Sequence, residues 1–308
     1  MTSAAAAKND PIEVEARTAA ADAAADARAD VRQEAAKAKA SVSKLETSKK
    51  AATDALKDTW KEFAVDVWIT PFNSIEFGFW KRDRNRGKSR QFTTDMDVYA
   101  EIIEDGARTG VLGYRKELWN DAKGTDKRLV FKLFSETLNW RASMDMMLGR
   151  SIQQTLGARG VPVTTYSINT STDDALITLE RSANKWPLCP EYFSFFILEG
   201  SIPKFYRIRR DIINLGGDYS LIDQHGETVG YLDGAVLTIG GKWRGSVRGD
   251  HADPRVMTVM KMFAGMIVFN GEARRHVKQL ARDIRKGRIE PDIHHQEADL
   301  YLNPRRVR

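Results

Sequence analysis

The rhythm of hydrophobic positions changes along this chain. From Val163 onward, short runs rich in Val, Ile, Thr, Tyr and Phe are broken by Gly, Asp and Asn, a pattern of short strands joined by turns. It predicts strands at Val163–Ile168, Ala175–Leu179, Phe193–Leu198, Phe205–Ile212, Tyr219–Ile222, Thr228–Leu232, Val236–Ile239 and Lys242–Arg248. Asp173-Asp174, Gly216-Gly217-Asp218, His225-Gly226, Asp233-Gly234 and Gly240-Gly241 separate them. Asp-Gly and Gly-Gly tolerate the positive φ of tight hairpins. Tyr206 and Ile208 alternate with Arg207 and Arg209, which puts one face inward and a basic face outward. Such close spacing predicts an antiparallel meander. The next segment, Val256–Phe269, is apolar except for Thr258, Lys261 and Gly265. It is too short to cross a bilayer, and a helix apolar nearly all round is buried in protein.

Upstream, the period lengthens. Val98, Ile102 and Ile103 among acids, then Leu129, Leu133, Phe134, Leu138, Met144, Met147 and Leu148, recur at helical spacing. They predict a helical region over residues 93–160, with a long helix from Asp126 to Leu156. Gly157 and Gly160 close it, and Met144, Met146 and Met147 read as core filler. Residues 1–60 hold 20 Ala, ten basic and ten acidic residues, and no Gly. Ala, Glu, Lys and Arg form helix readily, so a helix from Glu13 to Phe63 is expected. Its seam through Val31, Ala35, Ala38, Val42, Leu45, Lys49, Ala52, Leu56, Thr59 and Phe63 is poor in large side chains and broken by Lys49 and Thr59. That leaves a weak coiled coil or partner-docked helix beside a solvated helix or disordered arm.

The stretch Lys204–Arg248 resembles the first repeat of a LURP-one-related, tubby-like domain. The matching positions are Tyr206, Ile208, Arg209, Gly217, Asp218, Tyr219, Asp223, Gly226, Val229, Asp233 and Gly234. Ala235 stands where the family often has Lys, and the match covers about 45 of the 308 residues. The resemblance implies an antiparallel barrel wrapped around a hydrophobic helix, and kinship with phospholipid scramblases and phosphoinositide-binding tubby domains. Family members have about twelve strands before that helix, whereas the pattern above gives eight. A partial barrel, or a helix packed on an open sheet, is the alternative.

The expected fold class is therefore α+β. It has a long N-terminal Ala-rich helix, a central helical region, and a C-terminal antiparallel sheet or partial tubby-like barrel with a buried hydrophobic helix. The expected divisions are an arm (1–63), an aromatic and polybasic connector (64–92), a helical region (93–160), a β-rich domain with C-terminal helices (161–290) and a tail (291–308). In the second of those helices, Val277, Leu280, Ala281 and Ile284 make a narrow apolar stripe on a basic surface.

Charge sharpens this picture. The chain carries +6, yet Lys81–Arg90 alone carries six basic residues and one acid. That run follows Trp60, Phe63, Trp68, Phe72, Phe77, Phe79 and Trp80. Rings beside cations suit an anionic membrane surface or, less well, nucleic acid. The plainer alternative makes the rings core and the basic run a solvated loop. Candidate lipid- or polyanion-binding residues are Lys81, Arg82, Arg84, Arg86, Lys88 and Arg90, with Lys204, Arg207, Arg209 and Arg210.

Catalytic chemistry is not signalled. No phosphate-cradling glycine loop, nucleophile elbow or zinc-helix motif occurs. The single Cys189 excludes an internal disulfide and has no activating base in sequence. His294 and His295 near Asp292, Glu297 and Asp299 are a weak metal candidate. We expect no catalytic residue, metal or cofactor. The N-terminus lacks an apolar leader, so a cytoplasmic location is expected, with peripheral contact to membrane. The expected function is a non-enzymatic adaptor or scaffold, binding anionic lipid headgroups or partner proteins and able to oligomerise through its helix. The alternative is a structural subunit of a larger assembly, one that could contain nucleic acid.

Overall fold

The computed structural model describes residues 55–67, 92–172, 175–183, 190–211, 218–234, 241–290 and 297–298. The chain divides into two units, Met1–Lys57 and Asp58–Arg308. The first is described only at its last helical turn. The second contains twelve antiparallel strands among the described residues. They are β1 (Trp60–Val67), β2 (Met96–Glu104), β3 (Ala107–Arg115), β4 (Val130–Ser135), β5 (Trp140–Met146), β6 (Thr165–Thr170), β7 (Ile177–Arg181), β8 (Tyr192–Glu199), β9 (Ile202–Arg210), β10 (Tyr219–Asp223), β11 (Thr228–Gly234) and β12 (Lys242–Arg248). Helix α1 (Leu148–Gly157) joins β5 to β6, and helix α2 (Pro254–Arg285) follows β12.

Each strand pairs with its sequence neighbours, and β12 returns to β1 in a register from Trp60↔Arg248 to Asp66↔Lys242. The barrel is closed, which removes unpaired sheet edges. About eight strands enclose just enough space for their own side chains to fill, and twelve enclose more. Helix α2 supplies the missing volume. Phe263 packs on Phe193 of β8 and Tyr219 of β10, at 5.0 and 5.1 Å between ring centroids. Phe269 meets Tyr99, Tyr114 and Phe131 of β2, β3 and β4. One helix thus touches widely separated parts of the wall, and a single buried cluster joins it to the strands.

Asp253 starts α2, its carboxylate accepting from the Arg255 backbone N–H, and Pro254 occupies the first turn. Both choices suit a helix N-terminus. Lys261 projects from the apolar stretch but is not stranded: its Nζ donates to Glu104 at 2.7 Å. Gly265 has no Cβ because Leu112 and the Tyr99 hydroxyl occupy that space.

Several expectations are corrected. The α+β class with a central helical region is overturned by the closed barrel. Residues 96–146 hold β2–β5, with short helical turns at Glu117–Asp121 and Gly124–Asp126 between β3 and β4, and of the expected long helix only Leu148–Gly157 is α-helical. Of these strands, β2, β3 and β4 carry apolar side chains on both faces. Ala100, Ile102, Leu112, Phe131 and Leu133 join the barrel core, while Met96, Val98, Val111 and Phe134 form a second cluster with Phe92. Two covered faces erase the alternation that marks a half-exposed strand. The helix expected to run to Phe63 gives way to strand at Trp60, and residues 1–54 lie outside the described residues. Asp233-Gly234 is not a hairpin turn, because both residues lie inside β11. The strand expected at 236–239 lies outside the described residues. The two expected C-terminal helices are one continuous α2.

Candidate functional site

The β8–β9 hairpin is registered from Tyr192↔Arg209 to Glu199↔Ile202. Its neighbours stop short of it. β7 reaches β8 only at Phe193 and Ser194, and β10 reaches β9 only from Tyr206 to Arg210. Within the ladder, residues 195–205 are therefore a ribbon paired only with itself, its inner face still in the barrel core. Glu199 and Ile202 flank a two-residue turn, where Gly200 takes a φ of 62°, a conformation that favours glycine.

The two faces of the ribbon differ. Phe195 and Ile197 are buried, and Phe195 stacks on Tyr206 at 5.3 Å. The opposite parity carries Phe196 and Leu198 on β8, facing Phe205 and Pro203 on β9. Phe196 and Leu198 are each 40% exposed and Phe205 52%, and beside the turn, on the other parity, Ile202 is 68% exposed. Phe196 and Phe205 lie 5.5 Å apart between ring centroids. Single exposed apolar residues are common, whereas a contiguous patch marks a contact surface. The backbone is held in place: Arg255 Nη1 donates to the Leu198 carbonyl at 2.6 Å, and Phe205 N–H donates to Gln224 Oε1 at 3.3 Å.

Of the expected binding residues, the structure places four. Lys204 pairs with Glu199 across the hairpin. Arg207 follows Phe205 on the outward parity, opposite Ser194, and has no ion pair among the described residues. Arg209 is next on that parity, opposite Tyr192, with Asp211 3.7 Å away. Arg210 has the opposite parity and leaves this face. Thus Arg207 and Arg209 form a basic collar behind an apolar tip. Lys81, Arg82, Arg84, Arg86, Lys88 and Arg90 lie outside the described residues. The sequence reading missed Phe196, Leu198, Ile202 and Phe205 as surface residues. In the run Tyr192–Glu199, apolar residues occupy both parities, so nothing local says which face is free.

Other polar groups serve the fold. Glu191, nearly buried, accepts from the Arg181 guanidinium and from Asn270 Nδ2, with Arg274 3.6 Å away. This ties the β7–β8 connection to α2. The Tyr206 hydroxyl and His251 Nδ1 lie 3.1 Å apart. Burial pushes His251 below its usual range, against the pull of Asp250, which keeps the ring uncharged near neutrality. Glu297, read as a weak metal candidate, instead accepts from the N–H groups of Gly149 and Arg150 at the start of α1, at 2.8 and 3.1 Å. Asp292, His294, His295 and Asp299 lie outside the described residues. Among the described residues, no group of three His, Cys, Asp or Glu residues could hold a metal ion. No described helix is long and apolar enough to cross a membrane. Met144, Met146 and Met147 are buried, as core filler should be. Comparison with known proteins gives no match among family models, curated proteins or solved structures.

Proposed function

We propose that this barrel is a non-enzymatic adaptor that associates peripherally with anionic membrane surfaces through the tip of the β8–β9 hairpin. What carries the proposal is one juxtaposition. Phe196, Leu198 and Phe205 are exposed on one face of the hairpin, Ile202 is exposed beside its turn, and Arg207, which has no ion pair among the described residues, is next on that face. Apolar side chains gain by leaving water for the acyl boundary, in proportion to the area buried. Each cation near an anionic surface adds about 1 kcal/mol, and that part weakens with salt. Neither component alone gives stable binding, and the hairpin presents both. The closed barrel around a helix is compatible with the tubby-like, LURP-one-related resemblance of Lys204–Arg248, and through it with a lipid-facing role.

Co-sedimentation with vesicles tests this. The full chain should pellet with phosphatidylcholine vesicles containing phosphatidylserine at low salt, less so at high salt, and weakly with phosphatidylcholine alone. Phe205→Ser with Leu198→Ser should abolish pelleting without lowering the unfolding temperature. Failure of the unaltered chain to pellet at low salt would reject the proposal and turn attention to a protein partner for the same tip.

A further inference from the structure

A second feature lies elsewhere on the barrel, where α2 enters it. A half-open cleft of about 410 Å³ opens between the first turns of α2 and the ends of β1–β5. All its lining residues are among the described ones. Ile102 and Leu133 from the strands and Met257 from α2 form an apolar floor, and Lys61, Arg141 and Lys261 stand around it. The charges there are unevenly matched. Glu104 accepts from Lys261 Nζ and from Thr109 Oγ1, each at 2.7 Å, so its charge is answered inside the cleft. The Thr258 hydroxyl donates to the Pro254 carbonyl of its own helix. Lys61 and Arg141 have no ion pair among the described residues, and both are exposed at the rim. Lys61 also helps hold Glu104 ionised from a distance, but among the described residues neither Lys61 nor Arg141 is held in a direct ion pair, so both cations stand available above an apolar floor.

We infer that this cleft binds a single-headed anionic amphiphile, a medium-chain carboxylate, with its head between Lys61 and Arg141 and its alkyl body over Ile102, Leu133 and Met257. Ligand sites are typically concave, mostly apolar, and oriented by a few polar groups, with volumes of roughly 300–1,000 Å³. At about 30 Å³ per water-sized group, the cleft has room for roughly a dozen non-hydrogen atoms. That matches an alkyl carboxylate of medium length and excludes a whole phospholipid. A carboxylate can accept from the Arg141 guanidinium by two parallel bonds and from Lys61 as a point charge. The inference does not depend on the hairpin, since no cleft residue belongs to it.

Calorimetric titration of the full chain with decanoate, below its micelle concentration, tests the site. Decanoate should bind at least about tenfold more tightly than decanol or acetate, and the double variant Lys61→Ala, Arg141→Ala should lose that preference. Both side chains are exposed, so the variant should keep its unfolding temperature. In the unaltered chain, nuclear Overhauser contacts from the decanoate chain should reach the methyl groups of Ile102, Leu133 and Met257. Equal affinity for decanol and decanoate, or full affinity in the double variant, would overturn the inference. So would contacts confined to other residues.

Discussion

At Gly245 the barrel wall has no room for a side chain. A Cβ there would lie 2.1 Å from Cζ of Phe63, its cross-strand partner, whose ring is buried over the glycine. An aromatic ring covering a strand glycine restores packing that the missing side chain would have given. Gly245→Ala should therefore destabilise the fold by about 1–3 kcal/mol in urea unfolding, the usual cost of overpacking. Phe63→Leu in the same chain should recover part of that loss. A neutral Gly245→Ala would mean that the ring does not sit where the structure puts it. The sequence offered only a glycine in a predicted strand and an aromatic at the end of a predicted helix. The pairing between them spans the barrel seam and has no local signature.

Elements were legible in proportion to how unevenly their faces are covered. β10 and β12 match the expected strands closely: β12 alternates inward Gly245 and Val247 with polar Arg244, Ser246 and Arg248, and β10 is a short β-branched and aromatic run between turn residues. Helix α2 was legible in its first half, since a stretch apolar all round has no place except a protein interior. β2, β3 and β4 were not, because a second apolar cluster covers the face opposite the core; β5 alternates apolar and polar residues, and its apolar set was read at helical spacing instead. The start of α2 yields a pH test. Burial raises the Asp253 carboxyl, but hydrogen bonds from the Arg255 side chain and backbone, with its charge, outweigh this and hold it below its usual range. A carboxylate with a depressed folded pKa stabilises fully above its unfolded pKa, and that stability is lost as pH falls through the folded value. Asp253→Ala should cost about 1 kcal/mol near neutral pH. The gap to the unaltered chain should narrow below about pH 4. Thermal unfolding followed from neutral to acidic pH measures it, and a gap that widens toward acid would contradict the capping role.

For the whole molecule, the sequence pattern and the structure differ most in strand number. Eight expected strands left an open sheet as an alternative, whereas β1, behind a helical prefix, β2–β4, apolar on both faces, and β5 complete the circle with β12. Closure fixes the functional geometry. Because β7 and β10 pair with β8 and β9 over only part of their length, the end of this hairpin is paired only with itself. The basic residues that composition singled out on β9 then fall behind an apolar tip that composition did not reveal. The most direct test is depth. A polarity-sensitive NBD fluorophore on Ile202→Cys, with Cys189→Ser to leave one thiol, reports whether the tip leaves water. On adding phosphatidylserine-containing vesicles, the expected result is a blue-shifted, brighter emission that is quenched by lipids labelled in the acyl chain. The same fluorophore on Thr137→Cys, at the exposed β4–β5 turn, should stay unchanged. Unaltered emission at position 202 in the presence of vesicles would contradict a membrane-inserting hairpin.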